Sequence, residues 1–159
     1  MTHALRLAIA PLTREAFAPF GEVFEAAAAT RVFPINAGTA QRHHDLLRLD
    51  TAAGDGHPVV SLVRAQPVAL PLRLRLLERH PLGSQAWLPL EGQRFVVVVA
   101  PPGAGYALDA IRAFVTDGRQ GVNYARGVWH HPLLTLERAA DFLVLDRDGP
   151  GDNCDEIPL

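Results

Sequence analysis

Lysine is absent from this sequence of 159 residues: all fifteen basic side chains are Arg. That excludes a Lys Schiff base, a Lys general base and a phosphate-binding loop built on Lys. An anionic substrate must then be held by Arg, His, backbone N–H groups or a metal ion. Cysteine is nearly absent as well. Cys154 alone excludes an intrachain disulfide and any metal site of several thiolates, and it reads as a tail residue rather than a nucleophile. Long apolar runs are missing too: the longest, Phe95 to Pro102, is too short to span a bilayer. Met1 to Arg6 lacks a basic segment leading into an apolar stretch, so no signal peptide is read and the cytoplasm is the expected location. Neither sign of charge dominates. Seventeen acidic side chains against fifteen basic ones leave a net charge of −2, which gives no reason to expect nucleic acid or a membrane as partner.

What is present points to a globular chain. Hydrophobic residues make up 48% and charged residues 20%, enough apolar material for a core and too little charge for disorder. The length suits one domain over residues 1–159, without linker or repeat. Thirteen Gly and thirteen Pro cut the chain into short segments, which predicts many strands and few helices. Short helical turns are expected at Thr13 to Phe17, stopped by Pro19, and at Leu108 to Phe114 with Asp109 as cap. Ala26 to Ala29 supports no more than a loop or one turn. Strands are expected at Pro58 to Gln66, Phe95 to Ala100, Val128 to Leu136 and Phe142 to Asp146. Phe95 to Ala100 reads as buried on both faces. Gly92, Asp117-Gly118 and Asp148-Gly149 mark turns.

The stretch from Leu70 to His80 carries chemistry. Leu70, Leu72, Leu74, Leu76, Glu78 and His80 share one parity; Arg73, Arg75, Leu77 and Arg79 share the other. In a strand, alternate side chains face opposite ways. The Leu face is then inside, the three Arg are outside, and Glu78 and His80 project into the interior. A buried carboxylate needs a partner, so the pair reads as a site. His130 and His131 are adjacent and must face opposite ways; Gly127 favours His130 inside, leaving His131 for a sheet or dimer contact and Trp129 for packing. His3 and His57 read as surface residues.

The spacing is also that of a known motif pair. Glu78-Arg79-His80, then Gln85, then Gly92, followed later by Gly127-Val128-Trp129-His130, resembles the two motifs of a cupin, a double-stranded β-helix or jelly-roll barrel. Glu78 replaces the first motif's leading His, and Gln85 replaces its Glu. Glu78, His80 and His130 would converge as three ligands with open positions. Two readings stand: a divalent metal site, nickel or zinc, or a hydrogen-bonded Glu–His pair with no metal.

Longer words extend the likeness along nearly the whole chain. They include Ile35-Asn36-Ala37-Gly38, Arg42-His43-His44-Asp45-Leu46, Arg64-Ala65-Gln66-Pro67 and Glu78 to Ala86. Further along come Phe95 to Ala100, Gln120 to Tyr124, Trp129 to Leu133, and Gly151 to Asp155. Together they resemble the ureidoglycolate lyase family, also called ureidoglycolate hydrolase. His43 stands where Tyr is expected, and Ala125 where some members have His. The resemblance implies cleavage of (S)-ureidoglycolate to glyoxylate and urea in allantoin (purine) catabolism, by a homodimer.

That reaction needs a base near the hydroxyl, an acid near the departing nitrogen and a clamp for the carboxylate. Glu78, His80 and His130 are the expected catalytic residues. With Lys absent the clamp must be Arg. Arg64 is the first choice, on an apolar-flanked strand with Val60 and Leu62; Arg42 and Arg94 stand behind it. Ser84 and Gln85 are expected to hydrogen-bond the substrate. Arg42, His44 and Asn36 are expected to reach the site from the N-terminal segment, with Asp45 orienting one His. Two rivals remain: another cupin enzyme, such as a metal-dependent oxygenase or an isomerase, and a non-enzymatic metabolite-binding cupin.

Overall fold

A computed structural model describes residues 6–159; His3 and most of the N-terminal segment read above lie outside them. Fourteen strands and one short helix follow in order. They are β1 (Ile9–Pro11), α1 (Arg14–Phe17), β2 (Gly21–Phe24), β3 (Arg31–Ile35), β4 (Ala40–His44), β5 (His57–Ala65), β6 (Leu76–Arg79) and β7 (Gln85–Pro89). They continue with β8 (Phe95–Ala100), β9 (Arg112–Val115), β10 (Gly121–Tyr124), β11 (Trp129–His130), β12 (Leu134–Thr135), β13 (Ala140–Asp148) and β14 (Asp155–Pro158).

One sheet runs β1-β9-β8-β11-β6-β14, with β12 also paired to β8; a second runs β2-β10-β7-β13-β5. The two share no strand, so no hydrogen-bonded closure joins them among the described residues. All pairings are antiparallel except β1 with β9. This is the mostly β, cupin-like architecture that the short Gly-bounded segments predict.

Alternation along β8 explains the layering. Phe95, Val97 and Val99 join Val122, Tyr124 and Phe142 in a core between the sheets. Val96, Val98 and Ala100 point the other way, into a second core with Leu77, Ile111, Trp129 and Leu134. All six residues of β8 are buried, as expected of a strand covered on both faces. β11 is held between β8 and β6, which sets His130 opposite Glu78.

Local signals were legible at α1, where the Thr13 side chain accepts a hydrogen bond from the Ala16 N–H. Three expectations need correction. Leu108–Ala110 is a single 3-10 turn that Asp109 does not cap, and the chain continues as β9. Val128 to Leu136 is two short strands, not one, separated around Pro132, which has no N–H to donate.

The third correction concerns the Leu-rich stretch. Only Leu76–Arg79 is strand. The segment before it wraps irregularly over the outer core, where Val68 and Leu74 pack, while Leu70 and Leu72 are exposed. Leu77, on the supposed outer parity, is fully buried. Arg79 is not a solvent residue either. Its guanidinium lies 4.7 Å over the Trp129 ring, and its Nε donates to Asp155 at 2.8 Å. This sheet has apolar cores on both sides, so alternation along a strand does not single out one inside face.

Leu77→Ala is expected to cost about 2–5 kcal/mol in urea unfolding. Arg73→Ala, on the exposed segment, should stay within about 0.5 kcal/mol of wild type.

Candidate active site

Strand pairing brings three expected residues together. Glu78 and His130 are cross-strand neighbours, and His80 follows two residues after Glu78 on the same face. Gly127, with φ of 76°, makes the turn that leads into β11; its N–H donates to the His80 carbonyl at 2.9 Å. A side chain at that φ would be strained. The ligand atoms of Glu78, His80 and His130 all lie within 4.8 Å of one another.

Backbone carbonyls set both imidazole tautomers. His80 Nδ1 lies 2.7 Å from the Asn153 carbonyl, and His130 Nδ1 lies 3.0 Å from the Val128 carbonyl. A carbonyl only accepts, so each Nδ1 carries a proton, and a ring in its neutral form presents a lone pair at Nε2. Both Nε2 atoms are buried and lack a hydrogen-bond partner. His130 Nε2 stands 3.5 Å from Glu78 Oε1, the outer limit of a hydrogen bond. Tyr124 stacks on the His130 ring at 4.1 Å and 13°, holding its orientation.

Electrostatics follows from this packing. Burial first of all holds His130 below its ordinary pKa, against the pull of Glu78. Glu78 is held below the usual carboxylate range, chiefly by the N–H that a protonated His130 turns toward it and against its own partial burial. Burial pushes the Tyr124 phenol up, with Glu78 adding to it. Near neutral pH the site therefore holds the Glu78 carboxylate beside the lone pair of a neutral His130. This donor set, with carbonyls fixing the distal nitrogens, fits a divalent cation. It equally fits a proton-accepting site. Glu78 keeps 19% of its side chain exposed, so a small solute can reach it.

Other expected residues stand elsewhere. Arg64 is not an inward clamp: its side chain is 70% exposed and binds Asp141 bidentately at 2.7 and 2.8 Å. The face it shares with Val60 and Leu62 is the outer one, since both are exposed. Arg94 is bound to Glu137 at the surface. Ser84 Oγ accepts from the Asp50 N–H at 2.8 Å, and the Ser84 N–H donates to the Asp50 carbonyl; the residue ties two segments of the chain together. Gln85 is buried, receives the Trp87 indole N–H at 2.9 Å and donates to Asp146 at 3.3 Å. Asn36, Arg42 and His44 lie on the β3–β4 hairpin, outside the Glu78–His80–His130 cluster. Asp45 lines a separate cavity of about 430 Å³ with Arg14 and Arg48. Trp129 packs in the outer core, and His57 is exposed, as expected.

Two partners went unnoticed in the sequence. The Asn153 carbonyl orients His80, while its side chain accepts from the Leu82 N–H at 2.8 Å. Tyr124 supports His130. Both residues sit inside words already singled out, but a role played by a carbonyl leaves no residue-type signal. Cys154 is closer to the site than a tail residue would be: its sulfur lies within 4.8 Å of ligand atoms of Glu78 and Glu156. Partial burial, then the carboxylates of Glu78, Glu156 and Asp155, push its thiol up, which keeps it a poor nucleophile.

A two-sheet β fold that presents two His and one Glu between its strands defines a cupin-like site protein. The model of the family described as ureidoglycolate lyase matches residues 4–159, and the chain belongs to that family. A ureidoglycolate lyase of Burkholderia cepacia is 56% identical over 154 residues, covering 96% of this chain and 86% of that protein. One from Pseudomonas aeruginosa (strain LESB58) is 55% identical over 150 residues, covering 94% and 88%. Among solved structures, a dTDP sugar isomerase from Desulfovibrio desulfuricans G20 aligns over 88% of this chain and 86% of its own, with TM-score 0.45 and 18% identity. RmlC from Streptococcus suis, in complex with dTDP-D-xylose, aligns over 91% and 74%, with TM-score 0.44 and 14% identity.

The titration of His130 predicts a pH dependence of stability. Its folded pKa lies below the unfolded value, so its contribution is complete above about pH 6.5 and is lost as pH falls from there toward the folded value. Glu78 shifts the same way and adds its loss only below about pH 4.5. In metal-free protein the urea midpoint should fall between pH 7.5 and 5.5, and His130→Gln should flatten that fall.

Proposed function

We propose that residues 1–159 form one ureidoglycolate lyase domain that splits (S)-ureidoglycolate into glyoxylate and urea. Full-length membership of the family and the convergence of Glu78, His80 and His130 support this reading. In the reaction the hydroxyl loses its proton, its oxygen becomes the glyoxylate carbonyl, the carbon–nitrogen bond breaks, and the urea nitrogen takes up a proton. One proton leaves oxygen and one arrives on nitrogen, so no net proton is consumed.

The fixed tautomers narrow the roles. A neutral His130 presents no N–H to the site, because its proton is on Nδ1, so the Glu78–His130 pair rests as a base. Glu78, ionised and partly exposed, accepts the hydroxyl proton. That same proton, held on the Glu78–His130 pair, is then delivered to the departing urea nitrogen. His80 and Tyr124 keep the pair in place. A divalent ion held by Glu78, His80 and His130 would supply Lewis-acid stabilisation of substrate oxygens; a carboxylate has a second oxygen left to accept the proton.

The working location proposed is the cytoplasm; no helix among the described residues is long and apolar enough to cross a membrane. A homodimer is proposed too, supported by exposed Val32, Val60 and Leu62.

Incubation with the (S) enantiomer should release glyoxylate and urea in equal amounts. Ammonia and carbon dioxide instead would mark an amidohydrolase and overturn the assignment. Glu78→Gln should lower kcat about 10²–10⁴-fold, the range of general base catalysis. Arg64→Ala should leave KM unchanged, because Arg64 faces solvent. Calorimetric titration of the apoprotein with Zn²⁺ or Ni²⁺ should show one site per chain, lost in His80→Ala; equal binding by that variant would remove the cluster as a metal site.

A further inference from the structure

The proposed reaction also needs a cation for the substrate carboxylate, and several of the chain's arginines are already engaged. Arg79 is committed to Asp155 and the Trp129 ring. Arg126 is paired with Asp50, and Arg147 is buried against the carbonyls of Ala53, Gly54 and Pro150. Arg48 stands on the wrong side of the second sheet. Its carbonyl accepts from the Asn123 side chain at 3.0 Å, and Asn123 faces opposite to its strand neighbour Tyr124, which stacks on His130. Arg73 and Arg75 belong to the segment that covers the outer core.

The β3–β4 hairpin has the complementary problem. Its five residue pairs, from Arg31 opposite His44 to Ile35 opposite Ala40, join neither main sheet. At its tip Thr39 donates to the Asn36 carbonyl, and at its root Thr30 bonds the His44 carbonyl and His43 the Ala26 carbonyl. A lone two-stranded ribbon is marginal in water, yet Val32 on it is 51% exposed. Residues 31–44 contain Arg31, Arg42, His43 and His44 and no acid. Arg42 is exposed and makes no ion pair or side-chain hydrogen bond among the described residues. The segment flanking Glu78 is the inverse: residues 148–159 contain Asp148, Asp152, Asp155 and Glu156 and no Arg; Asp155 pairs with Arg79 and Asp148 lies 3.8 Å from His57, which leaves Asp152 and Glu156 without an ion pair among the described residues. The root continues to Asp50, which bonds Ser84 and Arg126; these three line a cavity of about 320 Å³ with Arg48 and Asn123.

We propose that a second copy of this chain lays its β3–β4 hairpin over the site and supplies Arg42 in trans as the clamp for the substrate carboxylate. The hairpin of each copy is thereby covered by the other, in an isologous exchange. The assignment rests on the lyase reading above, and its test separates the two.

Arg42→Ala and Glu78→Gln are purified separately, then co-refolded in equal amounts and assayed beside co-refolded wild type. Arg42→Ala alone should raise KM by about 30-fold or more, and Arg42→Lys should recover part of that loss. Random pairing makes half of the dimers mixed, and each mixed dimer has one intact site, so activity should return to roughly one quarter of wild type. No rise above the sum of the two variants overturns the exchange, as does a monomeric wild type in sedimentation. An unchanged KM in Arg42→Ala removes the clamp while leaving the lyase reading intact. Wild type that releases no glyoxylate overturns the lyase reading and the clamp with it.

Discussion

The middle strand β8 is covered on both faces, and the other elements are arranged by that constraint. Phe95, Val97 and Val99 face the second sheet; Val96, Val98 and Ala100 face the outer core. A strand so placed needs partners along both edges, which β9 on one side and β11 and β12 on the other provide. β11 is only two residues long, yet its position between β8 and β6 is what carries His130 to Glu78. The outer core is closed by an irregular segment instead of a third sheet, which is why Leu77 is buried on a side that strand alternation alone assigns to solvent.

The site uses this rigidity to hold like-natured groups together. A carboxylate and two imidazole rings crowd together, their ligand atoms within 4.8 Å of one another. They stay close because their orientation is set elsewhere: by the Val128 and Asn153 carbonyls, by Tyr124 stacking and by the Gly127 turn. Burial disfavours a proton on His130, and Glu78 stays ionised. The same feature makes the site sensitive to acid.

The arginines divide by what surrounds them. Arg147 is buried among carbonyls, Arg79 stacks on Trp129, and Arg64, Arg94 and Arg126 form surface ion pairs. Arg42 remains on an uncovered ribbon.

The sequence by itself determined the short-strand β architecture, because thirteen Gly and thirteen Pro permit little else. It determined the capped turn at Thr13, the doubly buried β8, and the grouping of Glu78, His80 and His130. Those signals are local or repeat at motif spacing. Tertiary structure decided which way Arg64 points, that Leu77 is core, and that Ser84 and Gln85 are tied to Asp50, Trp87 and Asp146. It also decided which imidazole nitrogen carries the proton. Each of these depends on what packs against a strand from another part of the chain, and alternation in one strand cannot distinguish a sheet with one buried face from a sheet with two.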